Sequence, residues 1–158
     1  MIMGLSVACG PDYIRSLGHM LQDIKDSECF NEEFNQFVRN PKEAFGFDFN
    51  VQVMTSGSWS FHELISFHLS EELKQVVQNF TAFYYYGNTD RKLQWLHNRS
   101  FGVVVVNCFQ EPYTLAVSTY QMAVLLMCNF VDRFTFQQPE ETSINMDNLR
   151  DVLQFLLN

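Results

Sequence analysis

The chain has 158 residues, with 18 Asp and Glu against 10 Lys and Arg, a formal charge of −8. That length allows one ordinary domain or two small ones sharing a core, and seven Gly and four Pro in a chain that is 47% hydrophobic exclude collagen-like, low-complexity and disordered classes. An acidic chain of pI 4.8 is poorly suited to gripping nucleic acid by its phosphates, whereas sixteen Phe supply bulky material for a core or an interface.

Residues 1–9 are apolar and end Ala8-Cys9, faintly like a cleavage site. They lack a basic n-region and are short for a secretory h-region. Leu5, Cys9, Tyr13, Ile14, Leu17, Met20, Leu21 and Ile24 recur at spacings of three and four, which predicts helix. Gly10-Pro11 interrupts it, so a break is expected there and a stronger helix from about Asp12. Phe30, Phe34, Phe37 and Val38 form a second short stripe. A lone helical hairpin could not cover both stripes, so something else must pack on them.

Phe47, Phe49, Val51 and Val53 alternate with Asp48, Asn50 and Gln52, the pattern of a half-buried strand over 47–53. Ser56-Gly57-Ser58 supplies turn chemistry. Ser70 is expected to cap a helix carrying Leu73, Val76, Val77, Phe80, Phe83 and Tyr84 on one face, with Glu71 and Glu72 in its first turn and Gly87-Asn88 at its end. Consecutive rings of Tyr84-Tyr85-Tyr86 point about 100° apart on a helix, so they cannot all face one neighbour.

Three further strands are expected over 92–96, 102–109 and 113–117, the last two joined as a hairpin through Glu111-Pro112. Val103 to Val106 are apolar without alternation, which suggests a strand covered on both faces. Ser118 then caps a helix over 119–129, and a last helix is expected over 145–157. The longest apolar run, 120–131, is far shorter than the roughly 20 residues of a membrane span. The reading is an α+β protein, soluble and intracellular.

Residue constellations for catalysis are missing. Cys9, Cys29, Cys108 and Cys128 contain no C-x-x-C pair, so metal and thioredoxin-type spacings are absent. Cys108 and Cys128 read as buried thiols. His62 and His68 flank Glu63 without forming a zinc motif, and His19 and His97 have no acidic or cysteine neighbour at a ligand spacing. No nucleophile elbow, Walker loop or dinucleotide fingerprint occurs. Asn79-Phe80-Thr81 and Asn98-Arg99-Ser100 fit the glycosylation sequon, which has meaning only in a secreted chain. Residues 119–157 have helix-turn-helix lengths, but Arg150 is the only basic group on the last helix, beside Asp147 and Asp151. Winged-helix DNA binding is thus the weakest of the functions considered.

Several motifs carry a resemblance. Val51-Gln52-Val53-Met54-Thr55-Ser56-Gly57-Ser58-Trp59, Phe80-Thr81-Ala82-Phe83-Tyr84 and Arg91-Lys92-Leu93-Gln94-Trp95-Leu96 are followed by Tyr113-Thr114-Leu115 and Ser118-Thr119-Tyr120-Gln121-Met122-Ala123-Val124-Leu125-Leu126. In order and spacing they resemble the cullin homology region, and Met20-Leu21-Gln22-Asp23-Ile24 with Asn31-Glu32 is similar to the end of the cullin helical bundle. Among cullins the chain looks closest to the scaffold of SCF-type ubiquitin ligases.

The resemblance implies three parts: residues 1–40 as the end of the four-helix bundle, 45–117 as the α/β domain and 118–158 as the first winged-helix-like unit. It implies a non-catalytic scaffold of cytoplasm and nucleus that binds a RING-box protein through an extended strand joining the sheet. Phe49, Val51, Val53, Trp95, Val104 and Val106 are the positions expected near that strand, and a sheet awaiting it would account for the apolarity of 47–53 and 102–109. Cullin assembly or deneddylation regulators are further partners it implies. No cofactor, metal, nucleic acid, membrane, substrate-receptor adaptor or modifier-acceptor lysine is expected for this chain. Departures are Asp90 where the family has Gly, Ser60 in place of Pro, and Pro139 in a short helix. A φ > 0 at Asp90 would cost on the order of 1 kcal/mol. The alternative they raise is a diverged remnant without a partner.

Overall fold

The computed structural model describes residues 10–59, 69–107, 110–127, 129, 150 and 154. The chain divides into two compact units, Met1–His62 with Gln78–Thr89, and Glu63–Val77 with Asp90–Asn158. One helix contributes its two halves to different units.

In the first unit, α1 runs over Pro11–Val38. Pro11 occupies the first turn, where a missing N–H is harmless, after Gly10 at φ 79°. The break expected at Gly10-Pro11 is therefore the helix start. The two apolar stripes lie on one continuous helix rather than on a hairpin, because no breaker stands between Ile24 and Phe30. Arg39 closes α1 in the left-handed region at φ 62°, its N–H donating to the Gln36 carbonyl at 3.2 Å. The short α2, Pro41–Phe45, follows, with the Asn40 side chain accepting from the Lys42 N–H.

Helix α3, Glu71–Gly87, brings its second half against α1. Phe34 and Phe80 are fully buried with ring centroids 5.1 Å apart, and Phe83 lies 5.5 Å from both Phe34 and Phe37. Phe30 and Tyr84 are 5.5 Å apart, and Phe49 reaches Phe34 and Phe80 at 6.1 and 6.3 Å. Six of the sixteen phenylalanines thus meet in one aromatic cluster. Asn88 ends α3 by donating to the Tyr84 carbonyl at 3.0 Å. The 100° advance carries Tyr84, Tyr85 and Tyr86 from 4% through 38% to 93% exposure. Ser70 stands at the cap position, its carbonyl accepting from Lys74 at 2.9 Å. Its hydroxyl makes no hydrogen bond, so the expected side-chain cap is not formed among the described residues.

In the second unit, β1 (Phe101–Val106) and β2 (Tyr113–Ser118) form an antiparallel hairpin, with Val104 opposite Leu115 and Val106 opposite Tyr113. Helix α4, Thr119–Met127, packs on it and buries Ala123 and Val124 beside Val117. Ser118 and Gln121 form a reciprocal cap, Ser118 N–H to the Gln121 side chain at 2.8 Å and Gln121 N–H to the Ser118 hydroxyl at 3.3 Å.

Gly102 sits where α4 crosses the hairpin, and a Cβ there would collide with the Met122 methyl. Because the clashing atom is the far end of a flexible side chain that can swing aside, Gly102→Ala is expected to change stability little in a thermal melt, by less than about 0.5 kcal/mol. The bulkier Gly102→Phe should cost about 1 kcal/mol or more by forcing α4 off the hairpin.

Three expectations are corrected in the second unit. Val103–Val106 are not covered on both faces: Phe101, Val103 and Val105 are 84%, 66% and 55% exposed, while α4 packs on the hairpin. Residues 92–96 belong to no helix or strand, and they lead into a single 3-10 turn, His97–Arg99. Asp90 does not adopt positive φ, so the strain expected of it does not arise. His62, His68, Cys9, Cys108, Cys128, Ser60, Pro139 and most of the expected last helix lie outside the described residues, although Arg150 and Gln154 are helical.

Candidate functional site

A bend falls at Phe47 and residues 48–55 belong to no helix or strand, with Asn50 and Gln52 exposed and Phe49, Val51 and Val53 half-buried. The alternation is that of a strand. Its pairing partner, however, is not a strand but the side of α1.

Val51 donates to Asn31 Oδ1 at 2.8 Å and its carbonyl accepts from Asn31 Nδ2 at 2.8 Å. Val53 donates to Ser27 Oγ at 2.9 Å, and Thr55 donates to Asp23 Oδ2 at 2.8 Å. Asp23, Ser27 and Asn31 are spaced four apart, about 6 Å of helix rise per step. Two residues of extended chain span about 6.6 Å. The two repeats match closely enough for three consecutive rungs, with the segment running antiparallel to α1.

Asp23 anchors the end of this ladder. It is 8% exposed and also accepts from the Thr55 hydroxyl at 2.7 Å and from Trp59 Nε1 at 2.8 Å. Burial pushes its carboxyl up, but the Thr55 N–H, the Thr55 hydroxyl, the Trp59 indole and nearby His19 together outweigh that and hold it below the ordinary carboxylate value. His19 therefore does have an acidic neighbour one helical turn away, contrary to the reading from spacing. The turn after Thr55 closes through Ser58 N–H to the Thr55 carbonyl at 3.2 Å, with Gly57 at φ 88°.

The geometry has a consequence for the far edge. Successive N–H and C=O groups of an extended chain alternate sides. With residues 51, 53 and 55 turned to α1, those of Asn50, Gln52 and Met54 face away. No hydrogen bond among the described residues engages them. The strand expected over 47–53 is therefore not formed as a sheet strand: the segment is held on one side by side chains of α1, and its other backbone edge is open.

Of the positions singled out in the sequence, Phe49, Val51 and Val53 share one face of this segment in the first unit. Val104 and Val106 share the half-buried face of the hairpin in the second. Trp95 is stacked on His97 with planes 2° apart, and burial pushes the His97 imidazole down. Asp23 and Asn31 entered the sequence reading only within motifs that carry the resemblance, Ser27 did not enter it, and none of the three was given a role. Their signal is three hydrogen-bonding side chains at i, i+4 and i+8 beside an apolar stripe, which reads as ordinary surface until the extended segment is laid against it.

Among the described residues no group of three His, Cys, Asp or Glu could hold a metal ion, and no helix is long and apolar enough to cross a membrane. The fold is α+β, and its distinctive site is an open backbone edge supported by a helix.

Comparison with known proteins agrees with the motifs. The family model described as the cullin alpha+beta domain matches residues 53–158. The chain is 33% identical to Cullin-1 of Schizosaccharomyces pombe over 99% of its length, 32% identical to Cullin-1 of Dictyostelium discoideum over 94%, and 29% identical to Cullin-3 of Dictyostelium discoideum over 100%. It spans 21%, 20% and 21% of those relatives, respectively. The chain belongs to the cullin family.

Proposed function

We propose that the chain is a non-catalytic scaffold segment of a ubiquitin ligase complex, and that it captures a RING-box protein by adding that partner's extended strand to the edge formed by Asn50, Gln52 and Met54. The observation that carries this reading is the 50–55 segment, whose inner backbone edge is satisfied by side chains of α1 and whose outer edge makes no hydrogen bond among the described residues. Backbone hydrogen bonds along such an edge supply affinity, and alternate side chains supply specificity. The RING partner would bring the ubiquitin-charged enzyme, so the cullin chain contributes to ubiquitin-dependent protein catabolism by placement rather than by chemistry.

In this reading residues 1–40 are the end of the helical bundle, 45–117 the α/β domain and 118–158 a winged-helix-like unit, and the complex works in cytoplasm and nucleus. Phe49, Val51 and Val53 back the docking edge. Trp95, Val104 and Val106, in the second unit, are proposed as further RING-partner contacts.

Co-expression with a RING-box protein, followed by size-exclusion chromatography, tests the reading. A stable one-to-one peak is expected, and it should be lost when the partner's N-terminal strand is deleted. Gln52→Pro is the sharper variant, because proline removes one N–H from the open edge and leaves the rungs at 51, 53 and 55 in place. It should weaken the complex about tenfold or more while shifting stability by less than about 0.5 kcal/mol. Wild-type affinity in Gln52→Pro would exclude this edge as the docking site.

A further inference from the structure

The apolar face of the extended segment repeats with period two: Phe47, Phe49, Val51, Val53. A slip of two residues that brings Val53 opposite Asp23 keeps an apolar side chain at every inward position, so packing alone discriminates poorly against that register. The polar ladder does not have this degeneracy. Asn31 accepts from the Val51 N–H through Oδ1 and donates through Nδ2 to the Val51 carbonyl and to the Ser27 carbonyl, so both faces of its amide are engaged in this register. Asp23 is matched to Thr55 through the backbone N–H and the hydroxyl together, and to Trp59 through its indole. A two-residue slip toward either end would put Val53 or Gly57 opposite Asp23, and neither carries a hydroxyl.

Given the strand-docking reading above, on which this inference rests, we propose that Asp23, Ser27 and Asn31 are positioning residues for partner capture. They act as a surrogate neighbouring strand that sets which three backbone positions are offered outward. The side of α1 occupies the odd-numbered edge and thereby selects Asn50, Gln52 and Met54 for the incoming chain. A helix surface suits this task because its side chains are held at fixed 6 Å intervals by the α1 backbone. A true neighbouring strand could itself slip.

The test is residue-resolved amide hydrogen exchange on the full chain, with and without a RING-box protein. In the free chain the amides of residues 51, 53 and 55 should exchange slowly and those of 50, 52 and 54 rapidly. Added RING-box protein should slow 50, 52 and 54. In Ser27→Ala, which keeps α1 helical because alanine is the best helix former, and in Asn31→Leu, the partner's protection should spread beyond those three positions and affinity should fall about tenfold. Ser27→Thr, which retains the hydroxyl, should restore the wild-type pattern. A merely structural role would lower the melting midpoint of Ser27→Ala but leave the even-numbered pattern and the affinity unchanged, and that result overturns the inference. Failure of added RING-box protein to slow any of 50, 52 and 54 in the wild-type chain would instead overturn the docking reading itself.

Discussion

Phe34→Ala is expected to remove about 3–5 kcal/mol of stability, a large share of the roughly 5–15 kcal/mol that holds a typical domain. Phe34 is fully buried, and its ring meets Phe37, Phe49, Phe80 and Phe83 at centroid distances of 6.5, 6.1, 5.1 and 5.5 Å. Truncation loses the transfer energy of one large ring and leaves a cavity bounded by rigid neighbours that close in poorly. It also removes edge-to-face contacts, worth about 0.5–1.5 kcal/mol each beyond burial. A urea or thermal melt followed by near-ultraviolet dichroism reads the effect. Phe34→Leu should cost clearly less, since it refills most of the volume. Equal costs for the two variants would mean that this cluster is not closely packed.

The second large effect is expected at Asp23. Asp23→Ala leaves the Thr55 N–H and the Trp59 indole N–H without their acceptor, at a cost on the order of 3 kcal/mol. Asp23→Asn should be milder, about 1 kcal/mol. Its carbonyl oxygen can take the place of Oδ2 for both N–H donors, and its amide can donate to the Thr55 hydroxyl once that hydroxyl turns. The two variants also separate in pH dependence. The Asp23 carboxyl is held below its ordinary value in the folded chain, so its stabilising contribution is fully present above the unfolded-state value of about 3.9. It is lost as pH falls through the lower folded-state value. Wild-type stability should therefore drop below about pH 4 with a component missing from Asp23→Asn. Parallel stability–pH curves for wild type and Asp23→Asn would show that the carboxylate contributes nothing through its charge.

Local pattern carried much of the architecture. Apolar spacing of three and four placed α1 and α3, Gly10-Pro11 marked the start of α1, and the Glu111-Pro112 turn separated the two hairpin strands. Ser118 and Gln121 carried a capping box in four residues. Family membership was legible as well, because motifs such as Thr55-Ser56-Gly57-Ser58-Trp59 and Arg91-Lys92-Leu93-Gln94-Trp95 survive in order across the chain.

What pattern could not reveal was the pairing. The alternation of Phe49, Val51 and Val53 shows which side of the segment is apolar, but side-chain periodicity is silent about where the backbone N–H and C=O groups go. Those groups lie at right angles to the side chains, and their partners are Asn31, Ser27 and Asp23, which lie 20, 26 and 32 residues earlier. The same limit explains the exposed Phe101, Val103 and Val105: their apolarity says that they are fit to be covered, while coverage depends on which other elements arrive. Sequence by itself determined α1, α3, the hairpin, α4 and the family, because each rests on interactions between near neighbours or on motif order. Only the tertiary structure decided that a helix side takes one edge of the 51–55 segment and leaves the other open, because that choice is made by hydrogen bonds between segments far apart in the chain.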